Sequence, residues 1–264
     1  MTILDTINES KRKEVEAAKR SASISSLKES SYFERETNSL RQRLTDASSS
    51  GIIAEFKRKS PSKGAINPDA DVIGITAGYA LAGAAGVSVL TDGEYFGGSK
   101  YDLVLAREAN PTLPLLRKDF MLDPYQLYEA KAWGADVVLL IAASLTPAQV
   151  SELSHEAREL GLEVLLEVHD LEELDRSPLA FVDIVGVNNR NLKNFNESSI
   201  QASLDLVEHI PAEMVKISES CISNPETIKT LRKAGFHGFL IGESFMKTEN
   251  PAKALQDYIL QSDL

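Results

Sequence analysis

Six side chains suited to acid–base or charge-stabilising chemistry stand where short apolar runs end: Glu55 and Lys57, Lys118, Glu167, and Asn188 with Arg190. Successive side chains point to opposite faces of a strand. Ile53, Glu55 and Lys57 therefore share a face of their run, as do Leu116 and Lys118, Leu165 and Glu167, and Gly186, Asn188 and Arg190. If the apolar members fill one interior, the polar members meet just beyond it. An isolated buried charge is expensive, so such a set needs a task or a partner. Lysine–carboxylate pairs suit proton transfer, because burial and a neighbouring charge draw both pKa values toward neutrality. Two other readings stand beside it: plain ion pairing, Glu55 with Lys57 or Lys118 with Glu167, and a Schiff-base lysine at position 118.

The elements that position these groups alternate in type. Strand-like runs cover Ile52–Phe56, Val87–Thr91, Leu115–Asp119, Val137–Ala142, Val164–Val168, Ile184–Asn188, Met214–Ser218 and Gly238–Gly242. All are rich in valine, isoleucine or leucine, as strands buried on both faces are. Helix-like segments fall between them at Asp71–Ala85, Lys100–Ala109, Tyr125–Trp133, Pro147–Leu160, Leu171–Asp175, Ser199–His209, Pro225–Lys233 and Pro251–Leu260. Thr146-Pro147 and Asn224-Pro225 put a capping side chain before a proline at the first helical position, and Gly86, Gly134, Gly161 and Gly235 stand where helices should stop. Eight such βα units predict a closed (β/α)₈ barrel. A doubly wound open sheet is the alternative, but no Gly-x-Gly-x-x-Gly turn follows the first strand. Barrels of this kind carry catalytic groups at the C-terminal ends of their strands, where the six side chains fall.

Residues 1–50 differ from the barrel at 51–264 and read as a helical extension packed on it, one domain in all. Ile3, Leu4, Ile7, Val15 and Ala18 form an apolar stripe on a charged helix that Thr2 and Asp5 can open with a capping box. A serine-rich connector at Ser21–Ser31 and a further helix over Phe33–Leu44 follow. The extension is either ornamental or a cover over one barrel mouth.

Composition bounds the partners. A net charge of −11 over 264 residues opposes general binding to nucleic acid or anionic membrane. No run approaches the roughly 18 apolar residues of a membrane span, and the first twenty residues lack a signal-peptide core. A single cysteine, Cys221, excludes an internal disulfide and fits a reducing compartment, so a cytoplasmic enzyme is expected. Four histidines show no ligand spacing, and no metal site or cofactor is expected; nor does any feature call for an obligate protein partner.

An anionic ligand is better supported. Barrels often hold phosphate with backbone N–H groups after strands seven and eight, here Ile217–Cys221 and Ile241–Ser244, with Gly242 allowing close approach. Lys57-Arg58-Lys59-Ser60-Pro61-Ser62-Lys63-Gly64 after the first strand is either a solvated basic loop or a mobile loop that grips an anion.

Ile53–Gly64, Ser88–Thr91, Phe96–Ser99, Leu116-Arg117-Lys118-Asp119-Phe120, Leu166-Glu167-Val168-His169, Gly186–Leu192, Ser218-Glu219-Ser220 and Ile241–Ser244 together resemble the indole-3-glycerol-phosphate synthase family, throughout the barrel and into the N-terminal helix. The resemblance implies a carbon–carbon lyase of tryptophan biosynthesis. Its substrate would be an anthranilate-derived sugar phosphate, 1-(2-carboxyphenylamino)-1-deoxyribulose 5-phosphate, closed, decarboxylated and dehydrated without a cofactor. It makes Lys118 the general acid, Glu167 a base or positioning carboxylate, and Glu55 with Lys57 the first-strand pair. Ser60, Phe96, Phe120, Asn188, Arg190, Glu219 and Ser220 become substrate-binding residues, with Leu140 added to the apolar wall for the anthranilate ring. Cys221, Gly242 and Glu243 mark the phosphate side. Cys221 departs from the family, which usually has glycine there; if that glycine uses positive φ, cysteine is strained by about 1–2 kcal/mol. An isomerase of the same pathway lacks support from the first-strand motif, and a catalytically silent scaffold would need none of the four charged strand-end residues.

Overall fold

The valine- and isoleucine-rich runs pair side by side as parallel strands until the last meets the first. In the computed structural model, which describes residues 2–61, 63–190 and 199–262, the strands are β1 (Ile52–Phe56), β2 (Gly86–Leu90), β3 (Leu115–Lys118), β4 (Val137–Ile141), β5 (Glu163–Val168), β6 (Ile184–Asn188), β7 (Val215–Glu219) and β8 (Gly238–Ile241). Each pairs with the next, and β8 pairs with β1 through Ile52–Phe239, Ile53–Leu240 and Ala54–Ile241. The result is the (β/α)₈ barrel that the alternating runs predict.

Twelve α-helices are described: α1 (Ile3–Ser21), α2 (Ile24–Lys28), α3 (Leu40–Thr45), α4 (Val72–Leu81), α5 (Lys100–Ala109), α6 (Tyr125–Ala132), α7 (Pro147–Glu159), α8 (Leu171–Arg176), α9 (Gln201–Leu206), α10 (Pro225–Ala234), α11 (Glu243–Met246) and α12 (Pro251–Gln261). The capping signals act as their chemistry dictates. Thr2 and Asp5 close a capping box on α1, Thr146 and Gln149 do so on α7, and Asn224 caps α10 ahead of its proline.

Strand parity divides the core in two. Ile53, Leu116, Leu139, Leu165, Ile184, Ile217 and Leu240 fill the barrel interior. Ile52, Ala54, Leu115, Val138, Leu140, Leu166 and Val187 face the helices. Leu140 therefore points outward, and the expected apolar wall falls instead to its neighbours Leu139 and Ile141. Both open ends of the barrel receive side chains from the N-terminal region. Leu40 and Leu44 of α3 join the interior cluster at the N-terminal ends of the strands. A Cβ on Gly86 would come within 2.8 Å of Leu40, and one on Gly238 within 2.7 Å of Leu44. Gly86 is thus the first residue of β2, kept small by its neighbour; the stop after α4 is Gly83, with φ of 96°.

Two further expectations shift. The serine-rich connector contains α2, because Ser23 caps it and accepts the Ser26 N–H at 3.1 Å. The helix expected over Phe33–Leu44 shortens to α3. Upstream, long-range bonds replace helical ones: Arg35 pairs with Asp136 at 2.7 Å, and the Asn38 N–H donates to the same carboxylate at 2.8 Å.

Candidate active site

The strand ends deliver the charged set to one place. Glu55, Lys57, Lys118, Glu167, Asn188, Arg190 and Glu219 line a cavity of about 440 Å³ at the C-terminal mouth. Phe96, Phe120, Ser60, Ser220, Cys221, Gly242 and Glu243 line it too, so of the residues singled out for binding only Leu140, which faces the helices, does not reach this space. Ile3, Leu4 and Ile7 of α1 form part of its wall, so the N-terminal helix reaches this mouth. Ser62, Asn191 and Leu192 of the quoted motifs lie outside the described residues.

Lys118 is the hub. Its Nζ lies 2.6 Å from Glu219 Oε2 and 3.0 Å from Glu167 Oε2. Burial opposes its charge, but Glu219, Glu167 and Glu55 outweigh that and hold the ammonium above its ordinary pKa. The first-strand pair is equally tight, with Lys57 Nζ 2.6 Å from Glu55 Oε1. Burial alone would raise Glu55; Lys57 and then Lys118 more than offset it and keep the carboxyl ionised. Glu167 is likewise held down, burial being outweighed by Lys118 and His169.

Glu219 behaves differently. Burial pushes its carboxyl up to about 7; Lys118 opposes this and the neighbouring Glu167 charge adds to it. Among the described residues its Oε1 has no hydrogen-bond partner. One lysine facing two carboxylates thus leaves one ionised and the other poised between states. Glycines make the room: a Cβ on Gly186 would lie 2.3 Å from Glu219 Oε1, and one on Gly242 2.6 Å from Glu55 Oε1.

Loops bring further cations to the cavity. Glu243 opens α11 between Lys63 at 3.8 Å and Arg190 at 3.9 Å, joining the loops after β1, β6 and β8. The basic run after β1 is largely fastened. Arg58 grips Asp102 with bonds of 2.7 and 2.8 Å, and Lys59 donates to the Glu94 carbonyl. Ser220 and Cys221 both have positive φ, 65° and 58°. The left-handed backbone that a glycine would adopt at 221 is therefore present with a Cβ on it. On the apolar side the Phe96 and Phe120 rings stand 6.1 Å apart, tilted by 40°.

A family model described as indole-3-glycerol phosphate synthase matches residues 4–258. The chain belongs to the indole-3-glycerol phosphate synthase family. A relative of that name from Bacteroides thetaiotaomicron is 48% identical over 257 residues, covering 97% of each chain. Another, from Salinibacter ruber, is 45% identical over 256 residues, which is 97% of this chain and 94% of that one. Among solved structures, thiamine phosphate pyrophosphorylase from Pyrococcus furiosus aligns over 85% of this chain and 98% of its own, with a TM-score of 0.61 and 16% identity. That likeness shows the barrel alone.

In this indole-3-glycerol phosphate synthase family member, two features of the mouth escaped sequence reasoning. His169 lines the cavity, its Nδ1 3.2 Å from Glu173 and its Nε2 3.6 Å from Glu167. Burial works against its charge, yet Glu173 and Glu167 outweigh that and raise its pKa. Its place just past β5 was visible, but its partners depend on how α8 packs. The second is Lys11, on the buried face of α1 and 1% exposed. The available signal was its position between Ile7 and Val15 on the buried face, a lysine where the stripe calls for an apolar residue. Among the described residues no helix is long and apolar enough to cross a membrane, and no group of three or more His, Cys, Asp or Glu could hold a metal ion.

Proposed function

We propose that the protein converts 1-(2-carboxyphenylamino)-1-deoxyribulose 5-phosphate into indole-3-glycerol phosphate, carbon dioxide and water. The observation that carries this reading is Lys118, held between Glu167 and Glu219 in a cavity also lined by the rings of Phe96 and Phe120 and by the cationic Lys57, Lys63 and Arg190. In this scheme the anthranilate ring rests against Phe96, Phe120, Leu139 and Ile141. The phosphate meets backbone N–H groups around Ser220, Cys221, Gly242 and Glu243, with Lys63 nearby.

The ring carbon that bears the carboxylate attacks the ketone. Lys118, fully protonated in its carboxylate cage, donates to the carbonyl oxygen and stabilises the developing alkoxide. Loss of carbon dioxide restores the ring. Water then leaves with the former carbonyl oxygen as a proton departs, which yields the indole. Ionised Glu167 and Glu55 serve as acceptors or positioning groups for that proton, Lys57 binds the substrate and assists dehydration, and Asn188, Arg190, Ser60 and Ser220 orient it. Glu219, poised near neutrality, restores the proton on Lys118 or tunes its charge.

Residues 1–50 are here a helical extension over the mouth and 51–264 the catalytic barrel, together one domain. The enzyme works in the cytoplasm, without metal or organic cofactor, nucleic acid or obligate protein partner. The test is turnover of the purified protein on the sugar phosphate, followed by indole absorbance, with and without a chelator. Equal rates are expected. No indole, or activity lost to the chelator and restored by one divalent ion, would overturn the reading.

A further inference from the structure

Lys11 is a charged side chain in a place where burial must be compensated, and its three partners are all carboxylates. Its Nζ lies 2.9 Å from Asp92 Oδ2, 2.9 Å from Asp119 Oδ1 and 2.8 Å from Glu14 Oε2. Glu14 is half-exposed on the same helix, whereas Asp92 and Asp119 are buried at the ends of two different barrel strands. A buried lysine reaching from an appended helix to two strand ends is expensive unless its charge is compensated, and here the ammonium faces three carboxylates within 2.9 Å.

The two aspartates have other duties. Asp92 Oδ1 accepts the Tyr95 N–H at 2.7 Å and the Phe96 N–H at 3.3 Å, and so sets the turn that carries Phe96. Asp119 Oδ1 accepts the Phe120 N–H at 2.9 Å, while its Oδ2 takes Thr91 and Arg117 at 2.6 and 3.0 Å. Both phenyl rings line the cavity.

We infer that Lys11 is a positioning residue for the aromatic side of the cavity: from α1 it joins the two aspartates that hold Phe96 and Phe120 in register. The helix therefore does more than cover the mouth. It supplies a cation that bridges the two aromatic loops, so helix docking and ring binding are a single event. The chemistry recognised through this pin is that of a flat aromatic ring, and the phosphate side lies on other loops. This inference rests on the proposed reading for the identity of the aromatic substrate, but its geometric half does not.

Amide hydrogen exchange tests the geometry without any substrate. In Lys11→Met the Tyr95, Phe96 and Phe120 amides should exchange faster, while the amides of α12 keep their wild-type rates. Unchanged exchange at those three amides would overturn the pin. Binding tests the consequence. With indole-3-glycerol phosphate and inorganic phosphate as separate probes, Lys11→Met should weaken the indole compound about three- to tenfold, the scale of a lost aromatic contact, and leave phosphate unchanged. KM should rise by a similar factor with kcat nearly constant. Lys11→Arg should recover part of the loss, and Glu14→Gln should behave as wild type. Equal weakening of both probes, or no weakening of either, would refute the role. Should Lys11→Met fail to fold, Asp92→Asn keeps an acceptor for the Tyr95 amide while discharging the pair, and carries the same expectations. A wild-type protein that binds no indole-3-glycerol phosphate would sink the proposed function while leaving the exchange result to decide the pin.

Discussion

Replacing Cys221 by glycine isolates the backbone strain built into the loop after β7. Cys221 has φ of 58°, directly after Ser220 at 65°. A residue with a Cβ held in that region costs about 1–2 kcal/mol. Glycine removes this cost but gives the unfolded chain more freedom, which takes back about 0.5–1 kcal/mol. Among the described residues the half-buried thiol has one long polar contact, 3.8 Å to the Asn189 carbonyl oxygen. The net is a stabilisation of about 0.5–1 kcal/mol, or about 1–4 °C in Tm for a chain of this size. Cys221→Ala is the reference, because it removes the sulfur and keeps the strain. Thermal unfolding of the three proteins should place glycine highest and alanine close to wild type. Product affinity of the glycine variant should hold or tighten, because the conformation is retained. A glycine variant melting at or below the alanine variant would refute the strain argument. One that melts higher yet binds product far more weakly would move this loop away from the phosphate.

Lys118→Met fills a similar volume but removes the acid, so kcat should fall by a factor on the order of 10² or more with the fold retained by circular dichroism; near-normal turnover would cancel its assignment. Glu219→Gln should flatten part of the stability–pH curve. The carboxyl is raised to about 7 in the folded protein, so its contribution is full below the unfolded value near 4.5 and is lost as pH rises through 7. Denaturant unfolding between pH 5 and 8 should show the variant gaining on wild type as pH increases, by up to about 3 kcal/mol, and a constant difference would contradict the shift. Deleting the residues before Ser21 removes Ile3, Leu4 and Ile7 from the cavity wall and Lys11 from its aspartates. KM should rise well before the barrel core melts earlier, and unchanged kinetics would make the helix ornamental.

Much of this site was legible because a barrel strand obeys a two-residue period. Once Ile53, Leu116 and Leu165 are assigned to one interior, Glu55, Lys118 and Glu167 must emerge at the same mouth, and they do. Local signals also sufficed for the capped helix starts at Thr2, Thr146 and Asn224, where the partners lie within one turn. Reading failed where partners are distant in sequence. Leu140 was assigned to the wall from proximity, but one step of parity turns it outward. Gly86 reads locally as a helix stop, yet Leu40 of a different element decides why it is small. Which carboxylate keeps its proton was likewise a tertiary matter. Glu167 and Glu219 are both glutamates at strand ends, and only their unequal surroundings hold one down and push the other up. Lys11 is the sharpest case: its place between Ile7 and Val15 puts it on the apolar stripe, but only packing shows that its partners are Asp92 and Asp119, more than eighty residues away. Side-chain type and period are local properties that a chain carries in its order, whereas burial, charge pairing and pKa depend on neighbours that only the closed barrel and its docked helix bring together.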